Sequence, residues 1–514
     1  LEKSVRFHAM ILLSELKSLI RWGAGVLVAV GFSTRSPADP IAWTSAQVRT
    51  WQPGGASSLV FVHLPDGRFA LGQQGKVFVQ TTSGLPAMTE VAANGRTFDP
   101  SFLAIRSATS ALLGAGGNFG AISGLHPFNP SAPATGVSAA YASTVQNYVG
   151  IYWKSPTSAL EGWLIGGANG PNGPLLGHNI IFVNSSTIGA NAPGTIMGAV
   201  TEELCSYSAG LAVDAGGNLY TALYELEGEE GEADADKVLR FSAAQIETAI
   251  QAAIDGTPAP VARSASTFIH QFDSASAITV DGLGRVWSAG FKVEHVQVYD
   301  PATGRVRALV PDHAPLAGAA QRGYQVNAFT RSGTPHIGFL AYDLYGTPGT
   351  PVIVGEAPAA DVTLPDEPTF STWRVANFGA AALTLATEST LWGEAADPDL
   401  DGLPNLAEYA LNTPPLTPGA AAITTAKSGG LLTFSFPRRP LAADLTYTVE
   451  VSGTLAQNGW SPIATSAGGA ATIATGASAV QEVPEGAMVR VTVTDQNSAA
   501  GAPKRFMRLR TSSP

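Results

Sequence analysis

Covalent cross-links cannot hold this chain together, because Cys205 is the only cysteine among 514 residues. A free cysteine is usually a small buried hydrophobe, and Cys205 reads as one rather than as a nucleophile. Charge is scarce as well. Only 13% of residues are charged, and 40 acids against 29 bases leave a net charge of -11. A nucleic-acid partner calls for a basic patch, so this balance argues against one. It suits solubility and cation binding instead. After the first forty residues no segment reaches the about 18 uninterrupted apolar residues of a membrane span. No G-x-S-x-G elbow, H-E-x-x-H helix or P-loop is present. Gly114–Gly120 is glycine-rich but lacks a strand–turn–helix context, so it reads as a loop.

Glycine and proline are abundant, at 56 and 35. They point to short strands and many turns, in a chain long enough for about two to four domains. At the N-terminus, Met10 makes a sensible start. Lys17 and Arg21 precede an apolar run, Trp22–Phe32, that is short for a span and fits a secretory signal. We expect a signal segment over 1–38 and export to a secreted or cell-surface location. No membrane span is then left in the mature chain. A buried N-terminal helix is the alternative.

From about 39 to 375 one phrase recurs: a short apolar strand, a turn with Asp or Gly, and a second apolar strand. It runs through Leu59–Ala70, Gly210–Tyr220 and Ala277–Trp287, and in degenerate form through Phe102–Gly114. Further starts lie near Tyr148 and Val326. Alternation at period two between Gly and Asp turns is the half-buried hairpin signal. The 43-residue step from Val62 to Ile105 matches one four-stranded propeller blade. The longer step from Val213 to Val280 holds two insertions. One is the acidic run Glu225–Asp236. The other is a helical stretch, Ser242–Ile254, that opens on a capping box formed by Ser242 and Gln245. The phrase resembles the blades of NHL-repeat and virginiamycin B lyase-like propellers. That resemblance implies a β-propeller of six or seven blades. An irregular β-sandwich, or two smaller β domains, is the rival. Asp214 and Asp281 recur at matching positions and read as turn residues bonding nearby backbone. His63, His126, His178, His270, His295, His313 and His336 are scattered, with no spacing that makes a local ligand pair.

The stretch Asp397–Glu408 carries the most specific chemistry. Oxygen ligands fall at Asp397, Asp399 and Asp401, Gly402 stands at the sharp turn, and Asn405 and Glu408 follow. A hard cation such as Ca2+ takes oxygens at positions 1, 3, 5, 7, 9 and 12 of such a loop, with Leu403 offering its carbonyl. The stretch resembles the calcium loops of EF-hand, dockerin and thrombospondin type 3 modules. Pro404 lacks the N–H through which paired loops bond each other, and Pro398 keeps a helix from running into the loop. We therefore expect one unpaired loop and one short helix that ends at Asn412. An acidic turn that binds nothing is the alternative.

Pro414, Pro415 and Pro418 then mark a linker. Strand-like runs follow at Leu431–Phe436, Leu445–Val451, Met488–Val493 and Arg505–Arg510, with Trp460 as an expected core anchor. They form a small β-sandwich. Loop and module together resemble the C-terminal region of secreted Verrucomicrobia-type bacterial proteins. The whole is an all-β chain: propeller over 39–375, calcium-loop junction over 385–415, sandwich over 416–514. The leading expectation is binding of an unknown ligand or surface polymer at the propeller face. The rival is a lyase or lactonase-type enzyme with its site at the central channel.

Overall fold

The computed structural model describes residues 43–513, apart from 51–58, 74, 83–86, 97–99, 116–123, 139–148, 167–179, 185–195, 202–206, 225–235, 274, 291–294, 310–321, 344–350, 367, 421, 457–458, 477 and 498–503. The expected signal segment, Cys205, His178, His313 and nearly all of the acidic run lie outside the described residues. Among the described residues the chain is mostly β, in eight small antiparallel sheets. No helix there is long and apolar enough to cross a membrane.

Six of the sheets follow one another along the chain. They span 60–90, 100–128, 149–199, 207–271, 277–309 and 322–358. The first strand of each lies beside the first strand of the next. The strand Arg322–Arg331 lies beside Val60–His63, so the series closes on itself in a propeller-like ring. Each apolar core sits between two neighbouring sheets. In the fourth sheet, Leu211, Leu219 and Leu239 pack on Trp153 and Phe182 of the third. Ala212, Tyr220 and Val238 pack on Ile278 and Val286 of the fifth. Both faces of the sheet are therefore buried. This differs from the half-buried alternation expected from sequence, and it explains near-continuous apolar strands such as Phe69–Gln73 and Val286–Ala289. The sixth sheet takes its outer strand from the far end of the chain. Thr44–Thr50 pairs antiparallel with Pro351–Glu356.

The long repeat interval has a simple cause. Val213 and Val280 end the first strands of consecutive sheets, and the helix Ala243–Ile254 is inserted between the last two strands of the fourth. The capping box of Ser242 and Gln245 is formed as expected. The two phrases share one turn. Asp214 and Asp281 each donate N–H to the carbonyl four residues on, and Gly217 and Gly284, at φ 76° and 81°, make the reversal. Asp214 Oδ1 accepts from the N–H of Gly216 and Asn218, and Asp281 Oδ1 from that of Leu283 and Arg285. Both aspartates are thus turn residues. Val213 and Val280 themselves are half-buried, because they edge the central cavity.

Two further sheets follow at the C-terminus. One orders Thr424–Ser428, Leu431–Arg438, Met488–Asp495 and Ser478–Glu485. The other orders Ile473–Ala474, Ser461–Ala467, Thr446–Ser452 and Phe506–Ser512. They share one core of Phe434, Phe436, Tyr447, Val449, Val491 and Val493, which also takes in Leu406 and Tyr409. Trp460 is not the core anchor expected from sequence. It is half-buried outside that core, with the Arg508 guanidinium 4.2 Å from its ring centre. Arg508 also pairs with Glu450, and Arg505 pairs with Asp495. Arg508 of the final strand and Arg505 just before it are thereby committed within the fold.

Closure of the ring brings Gly338 of the sixth sheet against the His63 ring of the first, and a Cβ there would overlap His63 Cε1. His63 cannot yield, because it is buried and stacked 3.7 Å from Phe329. Gly338→Ala should therefore destabilise the chain by about 1–3 kcal/mol, the range for overpacking. Urea unfolding followed by tryptophan fluorescence measures it. A loss below about 0.5 kcal/mol would show that the closure is loosely packed.

Candidate metal centre

The loop Asp397–Glu408 begins after a short π-helical turn, Glu388–Trp392, and ends inside the helix Asn405–Leu411. No helix runs into the loop at Pro398, as the sequence implies, and Pro404 stands as the extended N-cap of the helix that follows. Asn412 ends the helix in the left-handed conformation, at φ 61°. The loop closes on itself where the Asn405 N–H donates to the Ala396 carbonyl at 2.8 Å. Gly402 turns the chain at φ 90°. Leu400 is held at φ 61°, unusual for a branched side chain, although that side chain is 85% exposed and makes no core contact to explain it. A surrounding loop that overdetermines such a conformation is common at binding sites.

Backbone N–H groups orient the carboxylates. Gly402 donates to Asp397 Oδ2 at 2.9 Å, Asp401 to Asp399 Oδ1 at 3.2 Å, and Leu403 to Asp401 Oδ1 at 2.8 Å. From the following linker, Gly419 donates to Asp401 Oδ2 at 2.9 Å. Asp397, Asp399 and Asp401 each place one oxygen within 4.8 Å of the others. Glu408 lies outside that close group but is fully buried, and neither of its oxygens has a hydrogen-bond partner. Asp397 Oδ1, Asp399 Oδ2 and Asn405 Oδ1 are likewise buried and unpartnered. The amide of Asn405 serves another purpose, donating to the carbonyls of Leu391 and Gly393 at 2.8 and 2.9 Å. Sequence reasoning missed that contact, since nothing in local spacing marks residues 12 and 14 positions earlier as partners.

Burying unpaired carboxylate oxygens is costly unless a proton or a cation meets them. Burial first, and then the charges of Asp399, Asp401 and Asp397, push the Glu408 carboxyl up to about 8. A hard cation would relieve both causes at once. The donors are all oxygens, and they fit Ca2+.

The centre of the ring is a cavity of about 810 Å³ lined by the first strands of all six sheets. Its walls include Val62, Ile105, Ile151, Val213 and Val280. His63 also lines it, but burial and then the Arg331 charge push its imidazole down to about 3, so it stands neutral. Asp214, at the edge, has its carboxylate occupied by Gly216, Asn218 and Tyr220. The other described histidines are dispersed. His126 faces the Ser138 carbonyl, His270 stacks on Tyr299, His295 meets Asp273, and His336 meets the Thr334 carbonyl. Among the described residues, histidines and carboxylates do not converge on the cavity.

No protein-family model matches the chain, and no curated protein matches it in sequence. Its structural neighbours include β-propellers of the regucalcin and virginiamycin B lyase types. The calcium-binding protein regucalcin from Agrobacterium tumefaciens is 13% identical, with a TM-score of 0.37 over 60% of this chain and 92% of that one. Virginiamycin B lyase from Staphylococcus aureus is 9% identical, with a TM-score of 0.36 over 62% of this chain and 99% of that one.

The Glu408 shift dictates a pH dependence. Its carboxyl moves from the ordinary 4.5 to about 8 on folding without a cation. A raised carboxyl contributes stability that is fully present below the unfolded value and is lost as pH rises through the folded one. Calcium requires the ionised form, so at neutral pH its uptake should expel a proton. Calorimetric titration in two buffers of different ionisation enthalpy should report about one proton released near pH 7 and none near pH 9.5. Equal heats in both buffers near pH 7 would contradict the assignment.

Proposed function

We propose that this is an exported calcium-binding protein that acts in binding or cell-surface interaction. On this reading the six-sheet ring is a six-bladed β-propeller over 39–375. Residues 385–415 are a calcium-loop junction, and 416–514 form a β-sandwich. The observation that carries the calcium reading is Glu408, buried with both oxygens unpartnered while three aspartate carboxylates converge at the start of the same loop. Asp397, Asp399, Asp401 and Glu408 would hold Ca2+ through carboxylates, Asn405 through Oδ1 and Leu403 through its carbonyl.

A single loop has no partner loop to stiffen it, and Pro404 removes the N–H that would pair one. Affinity then falls toward the about 10⁻⁴–10⁻³ M range of extracellular calcium modules. Such a site is useful where calcium is abundant, which supports export through the 1–38 segment. The apolar stretch Trp22–Phe32 supports it too. For the propeller, the cavity walls favour recognition of a ligand or surface polymer over lyase or lactonase chemistry. A catalytic channel needs a base or nucleophile poised at it, and neutral, stacked His63 is a poor base.

Glu408→Gln separates calcium binding from a bland acidic turn by moving two quantities in opposite directions. Near pH 8.5 it should raise the melting temperature of the cation-free protein by removing a buried, repelled charge. It should also weaken Ca2+ by about tenfold or more, or ~1.4 kcal/mol. Mg2+ should substitute poorly, since it demands a tighter octahedral shell. Titration calorimetry and thermal unfolding measure both. The absence of any calcium-specific heat in the unaltered protein would leave only the acidic turn.

A further inference from the structure

We propose that the calcium loop is a latch that docks the C-terminal two-sheet unit onto the fourth sheet of the ring. This rests on the calcium reading above and extends it from a local site to a coupling between two bodies.

On one side the loop is tied to the ring. The Asn405 amide donates to the carbonyls of Leu391 and Gly393, which flank Trp392. Trp392 is 1% exposed and stacks on Phe268, with ring centres 4.7 Å apart. Phe268 belongs to the outer strand Thr267–Gln271 of the fourth sheet. Buried Arg374 lies over both rings, 4.8 Å from Phe268 and 5.1 Å from Trp392. Lys237 of the same sheet pairs with Glu388, in the turn that carries Trp392, at 3.1 Å. The chain before that turn also bonds to the sheet edge, where the Phe268 N–H donates to the Leu383 carbonyl.

On the other side the loop is tied to the C-terminal unit. Leu406, Tyr409 and Leu411, on the helix that carries Glu408, sit in the two-sheet core. The Tyr409 hydroxyl donates to Asp444 Oδ1 at 2.9 Å, and the Tyr447 hydroxyl to the Ala410 carbonyl at 2.9 Å. Gly419, just before the first strand of this unit, donates to Asp401 Oδ2.

Asn405 joins the two sides. Its amide holds the ring-side turn, and its unpartnered Oδ1 is free for a cation. Without the ion, the three aspartate charges repel one another and the buried Glu408 carboxyl has no partner. With it, the loop, the Glu408 helix and the Trp392 turn are drawn to one centre. Calcium then biases the docked arrangement by the difference in its affinity for the docked and undocked states. Asn405 acts here as a positioning residue for the interface.

Hydrogen exchange of the full chain, with and without calcium, reads the coupling directly. Calcium should slow exchange in 266–271 and 383–393 by about tenfold or more, together with the loop itself. Phe268→Leu, on the ring side and away from the cation's ligands, should keep a calcium-specific heat and lose the calcium-dependent protection in 266–271; because the coupling is reciprocal, it should also bind calcium up to about tenfold more weakly. Calcium binding that protects only 396–412 would overturn the latch and leave the calcium site standing. No calcium-specific heat would overturn the site itself, and the latch with it.

Discussion

Every sheet of the ring is apolar on both faces, and this constraint governs the rest of the fold. Such a sheet has no stable free side; it needs a neighbour on each. A row of them would leave two greasy ends, and only closure removes both. Closure is made by Leu59, Phe61 and Leu71 of the first sheet packing on Leu340, Tyr342 and Val352 of the sixth. It is reinforced where the Asn327 carboxamide accepts from the His63 N–H and Arg331 donates to the Gly67 carbonyl. The strand Thr44–Thr50 completes the sixth sheet from the opposite end of the ring. Segments some 300 residues apart are thus joined in one ladder.

How much of this could be read from sequence depends on how local the cause is. The helix Ala243–Ile254 was legible because a capping box and an apolar stripe are short-range signals. The turns at Asp214 and Asp281 were legible for the same reason. The closing strand was not. Thr44–Thr50 reads Thr-Ser-Ala-Gln-Val-Arg-Thr, with little apolar pattern of its own. Its place is set by a vacant edge some 300 residues away, at Pro351–Glu356. Burial on both faces was missed as well, because it arises from the neighbouring sheet and leaves the period-two signal blurred. Trp460 shows the converse error. A large aromatic suggests a core, yet its position beside Arg508 at a sheet margin lets the guanidinium cover it instead.

The alternating acids of the loop were legible as a pattern, and the structure brings Asp397, Asp399 and Asp401 together. Spacing states which residues offer oxygens; it does not state what else they hold. Asn405 counts as one more oxygen in the loop pattern, yet its amide is spent on the turn around Trp392. Considered alone, a twelve-residue loop should affect only its own segment. Set between Trp392 and Tyr409, it lies where the packing of the ring and the core of the C-terminal unit meet.

This placement gives a reason for tolerating the unpartnered carboxylates. Filling the site with apolar side chains would join the two units permanently, as buried ion pairs replaced by hydrophobes often show at no loss of stability. Three aspartates that repel one another, beside a buried and unpartnered Glu408, make the junction conditional: weak without calcium, firm with it. The loop then acts through the difference in its calcium affinity between the joined and unjoined states.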